Sequence, residues 1–464
     1  MTESLKTISP VDGRVFVERP LASDTEISAA IDKGGRAHST WKNTPAKERA
    51  LMLTGFVDAL LKKKQVIAEE LSWQMGRPLR HAPNELNGFE ERARHMISIA
   101  EDALEPVSVG DKEGFTRFIT RESLGLVFVI APWNYPYLTS VNAIVPALMA
   151  GNTVLLKHSA QTPLVAERYT EAAKNAGLPD GVFQHLHLSH TAVARVISDN
   201  AVQYVAFTGS VDGGRAVSRA AAGRFIAQGL ELGGKDPAYV RPDADLKHAV
   251  STLVDGSYYN AGQSCCGIKR IYVHASVYND FIDGFIKETF SYATLGNPLE
   301  QATTLGPVVR TKAAEAIRTQ IAAAVKEGAK TLIDEVRFPL AKAGTPYMAP
   351  QALVGVTHSM DIMREETFGP CVGIMRVSSD DEAITLMNDN RYGLTACVFT
   401  EDPKAAVAIG KRVDTGTWFM NRCDYLDPAL AWVGVKDSGR GCTLSRVGYE
   451  CLTRPKSYHL KHLS

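Results

Sequence analysis

Hydrophobic and polar positions divide the chain into a helical N-terminal part and a longer part in which strands and helices alternate. Apolar side chains recur at helical spacing in residues 24–38, 45–75 and 83–104, so we expect three helices after a short opening turn. Asp24 and Thr25 are suited to cap the first helix.

From about residue 124 onward, short apolar runs alternate with helical patterns. LGLVFVIAP, NTVLLKHS and VQYVAFTGS predict buried strands, each followed by a helix. Strands that alternate with helices predict a parallel α/β sheet. The alternation resumes after residue 240 and continues to about residue 420, which predicts a second α/β domain. TRFITRESLG before this region is expected to form a hairpin arm, and TRPKSYHLKHL at the end a strand.

Charge and composition exclude several classes of protein. The 51 Lys and Arg residues balance the 51 Asp and Glu residues, so no basic field predicts a nucleic-acid or anionic-membrane partner. The longest apolar run, LGLVFVIAPW, is too short to span a bilayer, and MTESLKTISP lacks the apolar core of a signal peptide. Seven cysteines without a CxxC pair fit reduced thiols in the cytoplasm, and no Cys/His cluster has zinc-site spacing.

Two local features suggest a nucleotide. FTGSVDGGRAV follows the third predicted strand, and Gly209 and Gly214 bracket the start of a helix. Backbone N–H groups at a helix start attract phosphate, although GxxxxG alone is also typical of an ordinary strand-to-helix turn. Lys157 ends the second strand, where open α/β sheets bind ligands; a solvated charge is the alternative interpretation.

Two adjacent cysteines stand in SYYNAGQSCCGIKR, residues 257–270, between a predicted helix and a predicted strand. A cysteine considered alone is most often a small buried apolar residue, so local evidence does not choose between Cys265 and Cys266.

Four motifs together resemble the NAD(P)-dependent aldehyde dehydrogenase superfamily. They are APWNYP (131–136), FTGS (207–210) with ELGGK (231–235), YNAGQSC (259–265) and EETFGP (365–370). All occur in the order typical of the family, and the resemblance covers nearly the whole chain. It implies a Rossmann-like dinucleotide-binding domain, an α/β catalytic domain and a β oligomerisation arm.

The resemblance implies an oxidoreductase that converts an aldehyde to the carboxylic acid through a thiohemiacetal and a thioester on a cysteine. Cys265 matches the nucleophile of the family, and Asn134 matches the side-chain donor to the tetrahedral oxygen, with the Cys265 backbone N–H as second donor. Glu231 matches the general base that activates water.

The same resemblance places a nicotinamide cofactor. Glu366 is similar to the residue that holds the nicotinamide ribose, and Phe368 to the ring beside the nicotinamide. The remaining residues assigned to this site are Trp133, Lys157, Ser159, Ala160, Gly209, Ser210, Gly214 and Leu232.

Departures from the family pattern leave the choice between NAD and NADP open. Ala160 stands where many relatives have a glutamate that would repel a 2′-phosphate, so we expect either NAD or NADP to bind. His185, His187 and His190 alternate near a strand end, but no carboxylate or cysteine accompanies them; we expect no metal site and place them at the adenine side.

The expected aldehyde tunnel is mostly aromatic and apolar, which favours an aromatic or medium-chain aliphatic aldehyde. Arg422 keeps a semialdehyde acid such as succinate semialdehyde as the alternative, since it can pair with a substrate carboxylate. The tunnel residues are Tyr135, Leu138, Tyr259, Ser264, Cys266, Leu426 and Trp432.

Two further alternatives are an enzyme that passes the thioester to coenzyme A and a silent relative without catalysis. Glu231 argues for hydrolysis, and the intact Asn134, Cys265 and Glu366 argue for catalysis.

We expect residues 1–105 and 124–235 to form the dinucleotide-binding domain and 236–432 the catalytic domain. Residues 106–123 and 433–464 are expected to form the oligomerisation arm and C-terminal segment, which implies a homodimer or homotetramer.

Overall fold

The computed structural model describes residues 3–463, and its N-terminal part combines a hairpin with four helices. Strands β1 (Ser4–Ile8) and β2 (Val15–Pro20) pair antiparallel, so the expected opening turn is wrong. These strands have only five and six residues, so each offers too few positions for alternating apolar and polar side chains to be evident in the sequence. The helices are α1 (Asp24–Trp41), α2 (Ala46–Leu61), α3 (Lys64–Met75) and α4 (Pro83–Leu104).

Helix α4 confirms the predicted bounds, whereas two other helix ends differ. Ser23 caps α1 and accepts a hydrogen bond from the Glu26 backbone, in place of the expected Asp24 or Thr25. The segment predicted as one helix over 45–75 is broken at Lys62 and Lys63, because both halves turn their apolar side chains to one core.

The predicted arm contributes β3 (Val107–Ser108) and β4 (Phe115–Ser123). A six-stranded sheet follows, whose strands run parallel except at one edge. Its strands are β5 (Leu126–Ala131), β6 (Thr153–His158), β7 (Phe183–His185), β8 (Val202–Thr208) and β9 (Ala227–Glu231), with β19 (Gly439–Arg440) as the antiparallel edge. The helices between them are α5 (Pro136–Met149), α6 (Leu164–Asn175), α7 (His190–Ser198) and α8 (Val211–Ala221).

A seven-stranded sheet has the order β12-β13-β14-β11-β10-β16-β17 and is parallel except for β12. Its strands are β10 (Asp236–Val240), β11 (Ile268–His274), β12 (Lys330–Thr331), β13 (Gln351–Val354), β14 (Cys371–Val377), β16 (Thr395–Phe399) and β17 (Thr417–Met420). A separate short pair joins β15 (Tyr392–Gly393) to β18 (Val435–Lys436). The helices are α9 (Leu246–Tyr258), α10 (Tyr278–Tyr292), α11 (Thr311–Lys326), α12 (Asp361–Arg364), α13 (Asp380–Asn388), α14 (Pro403–Gly410) and α15 (Ser445–Gly448).

The last strand, β20 (Thr453–Lys461), pairs antiparallel with β4 over its whole length, in a sheet ordered β20-β4-β3. Phe118 stacks on Tyr458 with ring centroids 4.6 Å apart, and such cross-strand aromatic pairs stabilise a two-sided sheet. The arm and the C-terminal strand predicted from the sequence therefore form one structure.

The predicted C-terminal segment, residues 433–464, contributes strands to two different sheets. Residues 439–440 lie in the six-stranded sheet, whereas 453–461 belong to the arm. Residues 1, 2 and 464 of those bounds lie outside the described residues, and the division into domains stays a prediction. No helix between residues 3 and 463 combines the length and apolarity needed to cross a bilayer.

Asn152, in the turn before β6, connects the arm to the six-stranded sheet. Its side-chain oxygen accepts hydrogen bonds from the backbone of Leu124 (2.7 Å) and Gly125 (3.0 Å), where β4 passes into β5. Its amide donates to the Leu452 carbonyl, 2.9 Å away, just before β20. The Asn152 side chain is fully buried. It therefore holds together the two places where the chain enters the arm, the junction of β4 and β5 and the residue before β20.

We expect Asn152→Ala to lower the free energy of unfolding by about 2–4 kcal/mol, because two backbone N–H groups and one carbonyl lose their buried partner. Urea unfolding followed by circular dichroism measures the change. Asn43→Ala is the matched control, since the Asn43 amide is exposed and donates only to the Ser39 carbonyl. Equal stability of the two variants would contradict the assignment.

Candidate active site

The turn that carries Cys265 is held in an unusual backbone conformation. Asn260, Ala261 and Gly262 have φ of 56°, 55° and 66°, three consecutive left-handed residues after α9. Gln263 fixes this turn, since its side chain accepts from the Val309 N–H (2.7 Å) and donates to the Asn260 carbonyl (3.1 Å). Left-handed backbone in non-glycine residues is costly and persists where the surroundings impose it.

Asn134 lies against this turn. Its side-chain amide donates to the Gln263 carbonyl at 3.2 Å, two residues before Cys265. The Asn134 carbonyl accepts from the Asn260 amide (3.1 Å) and from Nη2 of Arg77 (2.5 Å). The fold thus brings together two residues separated by 131 positions in the chain, Asn134 and Cys265.

A buried ion pair between Arg77 and Glu85, which the sequence did not reveal, supports both Asn134 and the turn that carries Cys265. Arg77 and Glu85 are 2% and 1% exposed, and Nη1 of Arg77 donates to the Glu85 carboxylate. The other Glu85 oxygen accepts from the N–H groups of Tyr137 (2.9 Å) and Leu138 (3.0 Å) in the first turn of α5. Because a helix start carries unpaired donors and partial positive charge, this carboxylate fixes α5 and the Asn134 loop before it.

Glu231 ends β9 and lines the same cavity as Cys265. Its carboxylate accepts from the hydroxyls of Thr443 (2.6 Å) and Thr208 (3.3 Å). Burial raises the pKa of Glu231, against the lowering effect of these bonds and of Arg92. A carboxylate with a raised pKa is a stronger proton acceptor than an ordinary glutamate, as a general base requires.

The two glycines of ELGGK are required because other groups approach their Cα atoms too closely for a side chain to fit. A Cβ on Gly233 would lie 2.6 Å from the Glu366 carboxylate, and one on Gly234 would overlap the Cys265 carbonyl. In turn Glu366 accepts a hydrogen bond from the Gly234 N–H at 3.1 Å, and burial raises the pKa of Glu366. Glu366, the glycine turn and the nucleophile candidate are therefore stacked in direct contact.

Most residues assigned to the cofactor lie at or just after the carboxyl ends of β6, β8 and β9, where open α/β sheets bind nucleotides. Trp133 follows β5, and Glu366 and Phe368 lie between α12 and β14. Ser210 caps α8, its hydroxyl accepting from the Gly213 N–H at 3.2 Å, and Gly209 precedes it. A Cβ on Gly214 would lie 2.6 Å from Leu232, and both line a groove of about 340 Å³.

Two observations fit a dinucleotide in this cleft. Lys157 ends β6 largely buried, and no carboxylate of the described residues lies within ion-pair distance; burial lowers the pKa of its ammonium. An uncompensated cation at a strand end suits a ribose or phosphate. Trp133 and Phe368 pack edge to face, with centroids 5.6 Å apart, so the ring predicted beside the nicotinamide, Phe368, contacts a second residue assigned to the cofactor.

The positions that bear on cofactor choice have separate contacts. Ser159 accepts from the Gln161 N–H at 3.2 Å, and the exposed Ala160 accepts at its carbonyl from Thr7 at 2.8 Å. His185 bonds Thr170 at 2.5 Å, and His187 faces Glu167 at 3.4 Å. His190 begins α7. Within residues 3–463 no His, Cys, Asp and Glu cluster has the arrangement of a metal site.

A cavity of about 400 Å³ contains Cys265 and Glu231 and holds six of the seven predicted tunnel residues. Ser264 is the exception and corrects the prediction: it is buried behind the wall, where its hydroxyl donates to Asp424 at 3.2 Å. The six that line the cavity are Tyr135, Leu138, Tyr259, Cys266, Leu426 and Trp432.

Charged residues that the sequence did not single out also line this cavity: Arg77, Glu85, Glu91, Arg92, Asp255 and Asp424. Most lie on helices α4 and α9, on helix faces that give no sign of a ligand in the sequence. Arg422 is not among the lining residues; it is exposed and stacks on Tyr425 at 4.0 Å.

The two cysteines differ in environment. Cys266 is buried, and its thiol donates to Asp424 at 2.8 Å. The neighbouring Cys265 side chain and burial raise the pKa of Cys266, so its thiol stays protonated. Cys265 is half-buried and faces the cavity.

Comparison with known proteins identifies the family. Residues 1–458 match the profile of the Aldehyde dehydrogenase family. The chain belongs to the aldehyde dehydrogenase family. An aldehyde dehydrogenase of Paenarthrobacter nicotinovorans is 32% identical over 448 residues, which cover 96% of this chain and 97% of the relative. A succinate-semialdehyde dehydrogenase [NADP(+)] of Deinococcus radiodurans is 32% identical over 450 residues, which cover 97% and 93%.

A solved structure supports the same assignment. The NAD-dependent aldehyde dehydrogenase from Sinorhizobium meliloti superposes with a TM-score of 0.94 at 30% identity, covering 99% of this chain and 92% of that one. The predicted α/β fold and family are thereby confirmed. This aldehyde dehydrogenase is an oxidoreductase that converts an aldehyde to the acid with NAD or NADP.

We expect Glu85→Gln to lower kcat/KM about 100-fold, because Arg77 and the Asn134 loop lose their anchor and a small misplacement of a catalytic group costs about that much. The free energy of unfolding should fall by about 3 kcal/mol, since the buried guanidinium is left without its counter-charge. Steady-state kinetics and urea unfolding measure both.

Glu90→Gln is the matched control on the same helix. Its carboxylate pairs with Arg94 at 2.8 Å with both side chains about 40% exposed. We expect at most about 0.5 kcal/mol and no kinetic change, as for surface pairs generally. Wild-type kinetics in Glu85→Gln would refute the role of the buried pair.

Proposed function

We propose that Cys265 is the nucleophile, Asn134 and the Cys265 backbone N–H are the oxyanion donors, and Glu231 is the general base. The observation that carries this proposal is the shared cavity, which both Cys265 and Glu231 line. The buried Asn134 amide lies 3.2 Å from the Gln263 carbonyl, two residues before Cys265, and the next residue, Tyr135, lines the cavity. Cys266 is disfavoured as nucleophile because its thiol is bonded to Asp424.

In the first step the Cys265 thiolate attacks the aldehyde carbon and forms a thiohemiacetal. The oxygen becomes an alkoxide, and the Asn134 amide and the Cys265 N–H donate to it. The Asn134 amide carries two N–H groups, so the bond to the Gln263 carbonyl can orient it while the second N–H donates to the alkoxide. Arg77 holds the Asn134 backbone through its bond to the Asn134 carbonyl.

The cofactor is proposed to lie along the cleft from Lys157 and Ser210 to Glu366. Lys157 and Ser159 would hold its adenosine ribose, and the N-terminus of α8 with Gly209 would hold its pyrophosphate. Glu366, Phe368 and Trp133 would hold its nicotinamide end. When bound, the nicotinamide supplies the hydride acceptor for oxidation to the thioester. Ala160 introduces no charge that would repel a 2′-phosphate, so the site suits NAD and NADP alike.

Hydrolysis completes the reaction. Glu231 takes a proton from water, the water oxygen attacks the thioester carbon, and the Cys265 thiolate leaves. Thr443 and Thr208 orient the carboxylate through hydrogen bonds of 2.6 and 3.3 Å. A base held at this place favours a free acid as product over transfer to coenzyme A.

The aromatic and apolar walls favour an aromatic or medium-chain aliphatic aldehyde as substrate. A semialdehyde acid is the second candidate, because the Deinococcus radiodurans relative is named for succinate semialdehyde. Arg422, considered for this role from the sequence, lies outside the cavity wall.

We also propose the domain division 1–105 with 124–235, 236–432, and 106–123 with 433–464, and assembly into a homodimer or homotetramer in the cytoplasm. The free edge of β20 supports assembly, because that strand pairs with β4 on one side only. An unpaired strand edge is a template for a second chain.

The proposal predicts that Cys265→Ala abolishes reduction of NAD and NADP with every aldehyde, a loss of at least about 10⁴-fold. Cys266→Ala should retain turnover. The measurement is absorbance of the reduced cofactor with aromatic, aliphatic and carboxylated aldehydes, with and without coenzyme A. Activity in Cys265→Ala would sink the nucleophile assignment, and a requirement for coenzyme A would sink hydrolysis.

The raised pKa of Glu231 predicts the pH dependence of hydrolysis. The base acts only when ionised, so deacylation should slow as pH falls, beginning above the range of an ordinary glutamate with pKa 4.5. Glu231→Gln should slow deacylation by about 10²–10⁴-fold and remove this dependence, while leaving a stoichiometric burst of reduced cofactor. Rapid-mix kinetics separates burst from steady state. No burst in that variant would place Glu231 before the thioester.

A further inference from the structure

The aldehyde cavity carries more negative than positive groups. Its lining includes the carboxylates of Glu85, Glu91, Glu231, Asp255 and Asp424 but only the guanidinium groups of Arg77 and Arg92. The positive charge of Arg77 is paired with the Glu85 carboxylate in the buried ion pair. Among the described residues, no Lys, Arg or His nitrogen forms an ion pair with Glu91, Asp255 or Asp424, so three carboxylates in one cavity lack a counter-charge.

Asp424 is the most constrained of these carboxylates. It has φ of 51°, a left-handed conformation, in the loop after β17. One oxygen, Oδ1, accepts from the Cys266 thiol (2.8 Å) and the Ser264 hydroxyl (3.2 Å). The second oxygen has no hydrogen-bond partner within residues 3–463, although Asp424 lines the cavity.

The surroundings of Asp424 do not neutralise it. Burial and the neighbouring Asp255 raise its pKa to about 6, so it is largely ionised at neutral pH. The nearby ammonium of Lys269 is bonded to the Gly262 and Gly369 carbonyls, at 2.7 and 2.8 Å. A carboxylate desolvated in this way is costly unless a cation approaches its open side.

The remaining lining suits such a cation. The Tyr259 ring borders the cavity, and a ring face attracts a desolvated cation. Tyr135 and Tyr425 also line the cavity, but the guanidinium groups of Arg77 (4.6 Å) and Arg422 (4.0 Å) already lie over their rings. The Tyr135 hydroxyl is buried with no hydrogen-bond partner in the described chain. Glu91 and Asp255 each accept one hydrogen bond from a tyrosine hydroxyl, from Tyr425 (2.5 Å) and Tyr292 (3.0 Å) respectively.

Outside the Arg77–Glu85 pair, Arg92 is the one positively charged residue that lines the cavity, and nearby carboxylates offset its charge. The carboxylates of Glu85, Glu231 and Glu91 all act on its guanidinium, and two of its bonds go to the wall of α5. The balance of the cavity therefore stays negative around Asp424.

We propose that Asp424 is a specificity-determining residue that selects aldehydes carrying an ammonium group. This rests on the proposed aldehyde oxidation at Cys265 and names the substrate class of that site. The open oxygen of Asp424 accepts from the ammonium, while Asp255 and Glu91 make entry of a cation favourable. The same groups disfavour a carboxylated aldehyde.

Two aldehydes of equal size test the proposal. In 3-aminopropanal an ammonium replaces the terminal methyl of butanal, so the ratio of their kcat/KM values isolates the charge. We expect the wild-type enzyme to prefer 3-aminopropanal and Asp424→Asn to lower the ratio by about tenfold or more, because the variant loses more activity with the ammonium substrate than with butanal. Asparagine tolerates left-handed backbone and keeps an oxygen for Cys266 and Ser264, so this variant is expected to fold.

Asp427→Asn is the matched control in the same loop, because Asp427 is exposed and outside the cavity. It should leave the ratio unchanged. A preference of the wild-type enzyme for butanal or succinate semialdehyde, or an equal loss with both small aldehydes in Asp424→Asn, would overturn the proposal while aldehyde oxidation stands. If 3-hydroxypropanal matched 3-aminopropanal, hydrogen bonding would replace charge and the ammonium class would be wrong. Absence of turnover with every aldehyde would instead refute the proposed function.

Discussion

The buried pair of Arg77 and Glu85 is the interaction on which the catalytic geometry depends. One side of the pair meets the first turn of α5, and the other meets the carbonyl of Asn134 and the side chain of Asn260. A salt bridge removed from water is not by itself stabilising, since desolvation offsets much of the attraction. The pair instead fixes orientation, because its charge-assisted bonds hold the Asn134 loop, the proposed oxyanion donor, against the turn that carries Cys265.

Element type was predictable wherever one element buries its own apolar face. Helix α4 has a long periodic pattern, and its bounds follow from the sequence. The hairpin of β1 and β2 is too short to show a period, and the break at Lys62–Lys63 depends on how two helices share one core. Such features are decided by tertiary packing, which local propensity does not record.

The candidate site divides in the same way. Motifs placed Cys265, Asn134, Glu231 and Glu366 because each motif encodes a backbone shape as well as a side chain. Partners brought in from distant positions had no local signal: Thr443 lies 212 residues from the carboxylate it orients. Ser264 was misplaced because adjacency to Cys265 in the sequence says nothing about which way a side chain turns; here it turns to Asp424.

The glycine turn between β9 and β10 has a mechanical consequence. These two strands belong to different sheets, and only the four residues Leu232–Lys235 connect them. Domain closure elsewhere uses such short links as hinges, which need free volume for backbone rotation. Here Glu366 presses on one side of the link and the Cys265 carbonyl on the other. The link is therefore closely packed, and rotation of its backbone would have to displace both Glu366 and the Cys265 turn.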